Sequence, residues 1–379
     1  MISTHWDFPP AQYSGNLNHA FVTNETIAPA IARFTELASR NRVAFSGETI
    51  GSSKDGRAVV GFRIGSGPHH VSITAGAHAD EPTGPMAALG LVEWLLSGHT
   101  EALNLTKSCT VFICPQVNPD GAEANRKWFR DPINPLLYWN TVIREQPGDD
   151  IEFGYPGDGK PALRPENAAV ARFLQEGAPY VFHASLHAMA AAEGAWFLIG
   201  GAWRDKTHPL QSRLGKLAID AGLGLHDMDR RGDKGFSRIS KGFCTTPTSA
   251  GMRKHFLDQN DPASAELFHL NSMEFVESLG GAPLVMVSEM PLFLVGRKTS
   301  ESTAEQLNAP PPQPGATAYE QFRAALQALR VETSNNQTAL AQLASRFSLR
   351  PVPLPDHVQM QGLMVLEALA FLEATDWKQ

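Results

Sequence analysis

Short apolar runs bounded by turn residues alternate with helix-period stretches along most of this chain, and that alternation restricts the fold more than any other feature. A helical pattern fits residues 27–40, where Ile27, Ile31, Phe34 and Leu37 recur at three- and four-residue spacing. The stretch FSGETIGSSKDGRAVVGFRIGSG then reads as a strand, a turn at Lys54-Asp55-Gly56 and a second strand, a β-hairpin. Residues 70–75, 110–115, 180–186, 195–199 and 284–288 read as buried strands. Between them, residues 84–97, 165–175, 208–221 and 268–279 carry helical periodicity, with Pro165-Glu166 in favoured first-turn positions. Strands joined by crossover helices predict an α/β fold: a mixed, mostly parallel twisted sheet with helices on both faces, followed by C-terminal helices.

The chain has 379 residues, 42% hydrophobic and 19% charged, so it can bury a sizeable core as one large domain or two smaller ones. The predicted organisation is a main domain over 1–300, a Pro-rich linker over 301–318 marked by NAPPPQPGA, and a helical segment over 319–379. In that last segment, 319–347 and 358–375 read as amphipathic helices around RPVPLPDH, standing apart or packed on the main domain. A net charge of −7 offers no global basic footprint for nucleic acid. No run of about 18 apolar residues occurs, so no membrane span is expected. The start MISTHWDFPPAQYSG lacks a signal-peptide pattern, and a cytoplasmic location is the expectation. Cys109, Cys114 and Cys244 are too few and too scattered for a disulfide scaffold or a Cys-x-x-Cys zinc site.

The segment SITAGAHADEPTGP is the most informative. His78 and Glu81 stand at His-x-x-Glu spacing just after a buried strand, where both side chains can converge on one point. An imidazole and a carboxylate are ordinary zinc ligands. Alone, such a pair is more often a surface His beside a solvated Glu. His187, at the end of the strand reading VFHASLHA, supplies a third ligand, and two His with one Glu form a standard catalytic zinc set. In open α/β sheets, functional groups gather at the carboxyl ends of strands, where both segments place their polar residues. His183 points to the same face but lies mid-strand, as a core histidine would. Glu289 ends the run APLVMVSEMP, where an unpaired carboxylate is costly to bury. Beside an activated water it has a use as general base; the plainer account is a strand-end Glu paired with Arg or Lys.

The order of HADE, NPDG, a strand ending in His and a strand ending in Glu before a hydrophobic turn resembles the zinc carboxypeptidase family with the His-x-x-Glu signature. The upstream IGSSKDGRAV is similar to that family's hairpin, and YPGDGKPALRPENAAVARFL to its loop-and-helix segment. The likeness covers roughly 34–295. It implies one zinc ion per chain held by His78, Glu81 and His187, with Glu289 as the carboxylate that activates water. It also implies an arginine after Asn-Pro-Asp-Gly that stabilises the oxyanion: Arg126 is the favoured candidate, and Arg130 the other.

Two departures bear on specificity. At the position of the family's Asn-Arg pair, which clamps a free carboxylate, YWNTV places Asn140 and then Thr141, and threonine cannot form a charged fork. Arg144, one helical turn on, is the candidate replacement. No tyrosine occurs between His187 and Glu289, where the family carries a pocket tyrosine. The expected reaction is therefore cleavage of a small peptide by a metallocarboxypeptidase-like hydrolase, or, as the alternative, of N-acyl amino acids or cell-wall peptides by a deacylase or amidase. A non-catalytic zinc- or peptide-binding module is the reading from another class. The cluster Arg230-Arg231-Gly232-Asp233-Lys234 reads as a turn-rich loop and candidate pocket wall, with Arg253 or Lys254 further candidates to meet an acidic group. Asn118 and Asp120 read as an Asx-type turn, with Asp120 also able to orient a ligand histidine.

Overall fold

The computed structural model describes residues 24–129, 131, 134–296, 303–332 and 337–377. Ten strands form one sheet among them: β1 (Phe45–Ser52), β2 (Ala58–Gly65), β3 (His69–Ala75), β4 (Cys109–Cys114), β5 (Phe182–Ala192), β6 (Trp196–Ile199), β7 (Arg238–Ser240), β8 (Phe243–Thr245), β9 (Leu284–Leu294) and β10 (Arg350–Pro351). Their spatial order is β1-β2-β4-β3-β5-β9-β6-β8-β7, with β10 pairing β9. The hairpin at 45–65 pairs antiparallel with β4. The centre, β4-β3-β5-β9, is parallel throughout, as the crossover helices require. Beyond it, β6 turns antiparallel to β9. The fold is the expected mixed α/β sheet with C-terminal helices.

The central helix Thr83–Leu96 is buried along its whole length, because it packs between the sheet and the last helix, Leu354–Ala374. An apolar helix without a polar face is what such a position demands. Met364, Val365 and Leu369 share one core with Leu91 and Trp94, so the chain's final helix contributes to the same hydrophobic interior as the central strands. No described helix is long and apolar enough to cross a membrane. Burial pushes all three cysteine thiols up to about 12, which leaves them unreactive.

Several elements differ from the sequence reading. Strands expected to stop at 186 and 288 run on to Ala192 and Leu294, because their parallel register continues unbroken from Phe182↔Leu284 to Met189↔Pro291. Pro291 sits between the β6 and β10 pairings of β9, a place where the missing N–H costs no ladder bond. The helix read over 268–279 starts only at Ser272, where Asn271 and Glu274 form a capping box. The stretch 319–347 is two helices, Ala318–Glu332 and Gln337–Arg346. Strands β7 and β8 were not anticipated: three residues carry no readable period.

Helix Thr83–Leu96 approaches β5 so closely that a Cβ on Gly84 would lie 2.2 Å from the Leu186 carbonyl oxygen. Gly84→Ala should therefore cost about 1–3 kcal/mol of stability in chemical denaturation, the range for overpacking a tight core. An unchanged midpoint would mean that the helix can shift without penalty.

Candidate metal centre and catalytic cleft

The site is assembled where β3, β5 and β9 present their polar residues. After β3, Gly76 turns the chain at φ +69°, and a Cβ there would lie 2.4 Å from Gln116 Oε1. The loop that follows carries His78 and Glu81 and runs into helix Thr83–Leu96. Asn118 and Asn125 hold it: their Nδ2 groups donate to the carbonyls of Ala77 (3.1 Å) and Ala79 (3.0 Å). The Ala79 N–H donates to Glu145 Oε2 at 3.1 Å. Asn118 also accepts from Gly121 N–H as the N-cap of a short helix. Asp120, in contrast, reaches no ligand histidine. It accepts from Ser53 Oγ (2.6 Å), from Arg57 (2.7 Å) and from the Asp55 N–H (3.0 Å), tying the hairpin turn to the loop.

His187 lies within β5, and Glu289 is its register partner on β9, so the two side chains emerge on the same face of adjacent strands. Three ligand-type groups converge there. Glu81 Oε1 is 2.7 Å from His78 Nδ1, Glu81 Oε2 is 2.7 Å from His187 Nδ1, and the two Nδ1 atoms are 3.2 Å apart. These are the described His, Cys, Asp and Glu side chains whose ligand atoms cluster within 4.8 Å. Behind them, His78 Nε2 lies 3.5 Å from Asp150 Oδ1, and His187 Nε2 lies 3.2 Å from Glu152 Oε2 and 2.8 Å from Ser185 Oγ. Near nitrogens that converge and far nitrogens that face carboxylates are the arrangement by which proteins orient metal-binding imidazoles. The donor set, two imidazoles and a carboxylate, fits zinc.

The electrostatics agree. Burial disfavours charge on His187, but Glu81 and Glu152 outweigh it and raise its pKa to about 10. His78 is likewise raised against burial, by Glu81 and Asp150, with Arg144 opposing. Glu81 is held well below the carboxylate range despite burial, by both histidines. So many buried carboxylates require positive charge, which protons supply and a divalent cation can replace. Burial pushes Glu289 up to about 7, and the neighbouring Glu81 charge adds to the shift.

The arginines fall differently from the sequence reading. Arg126, on the short helix Arg126–Phe129, extends to Glu123 at 3.3 Å and does not line the cavity. Arg130 lies outside the described residues. Asn140 is not part of the cavity wall either, and the Thr141 hydroxyl donates to the Leu137 carbonyl of its own helix at 2.7 Å. The guanidinium at the metal set is that of Arg144, 3.2 Å from Asp80 and 3.3 Å from Glu81, with Asp80 also accepting from Tyr138 at 3.0 Å. Arg253 and Lys254 turn away, to the Phe268 carbonyl and to Asp258. His183 is fully buried against Ser72, its pKa pushed down to about 4 by burial.

Asp150 and Glu152 escaped the sequence reading. The only signal was a pair of acidic residues two apart in a Gly- and Pro-rich loop. Gln361, from the last helix, donates to the His187 carbonyl at 2.7 Å and to Ser288 Oγ at 3.1 Å, a contact 174 residues apart in sequence that no local pattern announces. The cavity occupies about 640 Å³. Its floor bears the metal set and Glu289, and its walls include Trp196, Phe236, Met252 and Met273. Helix Ala318–Glu332 adds Tyr319, Phe322, Arg323 and Leu326.

With this geometry in place, three comparisons bear on the chain. The family model described as zinc carboxypeptidase matches residues 31–194, which contain His78, Glu81 and His187 but not Glu289. Mouse (Mus musculus) carboxypeptidase M is 28% identical over 152 residues, 37% of this chain and 32% of that protein, so the match spans about a third of the curated relative. The crystal structure of carboxypeptidase A from Helicoverpa armigera superposes with a TM-score of 0.51 at 14% identity, covering 97% of this chain and 78% of that one. Across residues 31–194, the segment that carries His78, Glu81 and His187, the sequence is similar to zinc carboxypeptidases, and the fold of the whole sheet is that of a carboxypeptidase.

Proposed function

We propose that this chain hydrolyses a peptide or amide bond in a small peptide or N-acyl amino acid, with His78, Glu81 and His187 as zinc ligands and Glu289 as general base and acid. The observation that carries the reading is the register of β5 on β9, which sets Glu289 directly beside His187 at the edge of the three-ligand cluster. Zinc at such a site supplies a Lewis acid and lowers the pKa of water to about 7. The chain's own residues do the rest. Glu289, raised to about 7 by its buried setting, accepts a proton near neutral pH and returns it to the departing nitrogen. Arg144 stands beside the ligand set, held by Asp80 and Glu81, and offers a fixed positive charge to an oxyanion. That role, which the sequence reading gave to Arg126, is worth about 3–4 kcal/mol of barrier where it has been measured by removing one donor. Asp150 and Glu152 keep both imidazoles turned toward the ion.

Two measurements test the reading. Glu289→Gln should keep its zinc and lose about 10²- to 10⁴-fold in amine release from a peptide panel, the usual contribution of a general base. Full activity in that variant would remove Glu289 from the mechanism. Separately, His78 and His187 both hold protons above their ordinary range in the metal-free site. Loading zinc at pH 7 should thus expel roughly one to two protons per ion, and affinity should weaken as pH falls from 8 to 6. Calorimetry in buffers of different ionisation enthalpy reads the proton count; a count of zero would show neutral imidazoles before metal binding.

A further inference from the structure

The wall of the same cavity carries three cations that the hydrolytic chemistry does not use. Arg230 and Lys234 come from the loop before β7, and Arg323 comes from helix Ala318–Glu332. Among the described residues none of the three forms an ion pair with a carboxylate. The Arg230 guanidinium is half-buried, its Nε 2.9 Å from Met228 Sδ and its plane 4.4 Å from the centroid of Phe236. Lys234 is half-buried as well, 5.9 Å from the ring of Phe256. The adjacent carboxylate, Asp233, is bonded to His255 Nδ1 at 2.7 Å.

Such a cluster is costly. Drawing a guanidinium out of water without a carboxylate partner is unfavourable, and three like charges on one wall repel. Burial first, and then the other cations, hold Lys234 below its ordinary range; Arg230 is lowered mainly by burial. A wall that carries this cost is relieved when an anion enters.

Its position relative to the metal set defines the anion's place on the substrate. Glu289 pairs in register with Trp196 on β6, Trp196 stacks on Phe236 at 5.6 Å, and Arg230 covers the other ring. Aromatic surface thus lies beside both groups, and Glu289 is near enough for its charge to favour the Arg230 cation. Residues 140–141 supply no anion site, since neither lines the cavity.

We propose that Arg230, Lys234 and Arg323 form a subsite for a substrate carboxylate set apart from the cleaved bond by an apolar group that lies against Trp196 and Phe236. The proposal rests on the hydrolase reading for the place of the cleaved bond, but the subsite itself is read by binding. Zinc-loaded Glu289→Gln protein is titrated calorimetrically with one N-acyl dipeptide, prepared as its free acid and as its C-terminal amide. The acid should bind about tenfold or more tighter, the strength of charge-assisted hydrogen bonds. Arg230→Gln, Lys234→Gln and Arg323→Glu should each reduce that preference, and Arg230→Lys should retain part of it. Arg323 is exposed on its helix, so its variant keeps the test open if loop variants misfold.

Equal binding of acid and amide, or a preference that all the variants leave intact, overturns the subsite. Inorganic phosphate that displaces the acid and binds more tightly overturns the carboxylate assignment. Wild-type turnover of the same peptides separates the two readings. Acids bound through Arg230 but never cleaved would sink the hydrolase and leave the subsite standing, whereas cleavage indifferent to the C-terminal charge would do the reverse.

Discussion

The parallel pairing of β5 with β9 is the interaction on which the site depends. Because side chains alternate across a sheet, a slip of one residue would move Glu289 to the face opposite His187 and separate the proposed proton carrier from the ligand-type cluster. The register is secured along the whole length of both strands, from Phe182↔Leu284 to Ala192↔Leu294, and both strands are central in the sheet. Gln361 adds a second lock: its fully buried amide joins the His187 carbonyl on β5 to Ser288 Oγ on β9. Gly84 then lets helix Thr83–Leu96 rest against the Leu186 carbonyl, and that contact sets the height at which Glu81 arrives. A helix near the end of the chain and a glycine near its beginning thus act on one pair of strands.

That geometry creates an electrostatic problem that the rest of the cavity answers. Glu81, Asp150, Glu152 and Glu289 all face one cleft. Carboxylates drawn from water cannot remain ionised together unless positive charge stands among them. Two imidazoles and Arg144 meet Glu81, and the far imidazole nitrogens meet Asp150 and Glu152. Among the described residues Glu289 has no such ion-pair partner, and burial pushes it toward neutral pH. The same burial that would be a defect elsewhere makes it suited to both accept and release a proton.

How much of this was legible depended on whether a residue's role is local. His78, Glu81, His187 and Glu289 stand out because each is polar beside an apolar run, and the structure brings the three ligand-type groups together. The order of the longer strands and helices followed from periodicity and turn residues, whereas the three-residue strands β7 and β8 left no such trace. The arginine did not, since distance along a loop says nothing about which side chain returns. A single turn of helix at Arg126–Phe129 points Arg126 to Glu123, whereas the chain beyond Thr141 brings Arg144 back. Asp150 and Glu152 lie in irregular chain without a period, and Gln361 works across most of the sequence. Strand ends were misjudged for a similar reason. Glu289 and Pro291 look like terminators, but β9 continues because β5 pairs with it.

The cavity wall is built from two kinds of material. The three ligand-type groups and Glu289 come from central strands and the loop immediately after β3, backed by fully buried groups, so their atoms have little freedom. The cations come from an irregular loop and from helix Ala318–Glu332, which enters the wall only after the Pro-rich stretch. Contacts at its first turns fix that helix: the Ala318 N–H donates to Glu193 at 2.9 Å, and Phe322 packs on Trp139 and Phe347 at 5.5 Å. Tyr319 meets the buried His226 ring at 4.8 Å. Since the helix supplies Arg323 while contributing nothing to the three-ligand cluster, changes in residues 318–332 can, on the proposed function, alter which molecules are held without disturbing how the bond is broken. Sequence that tunes recognition is thereby separated from sequence that must keep a strand in register.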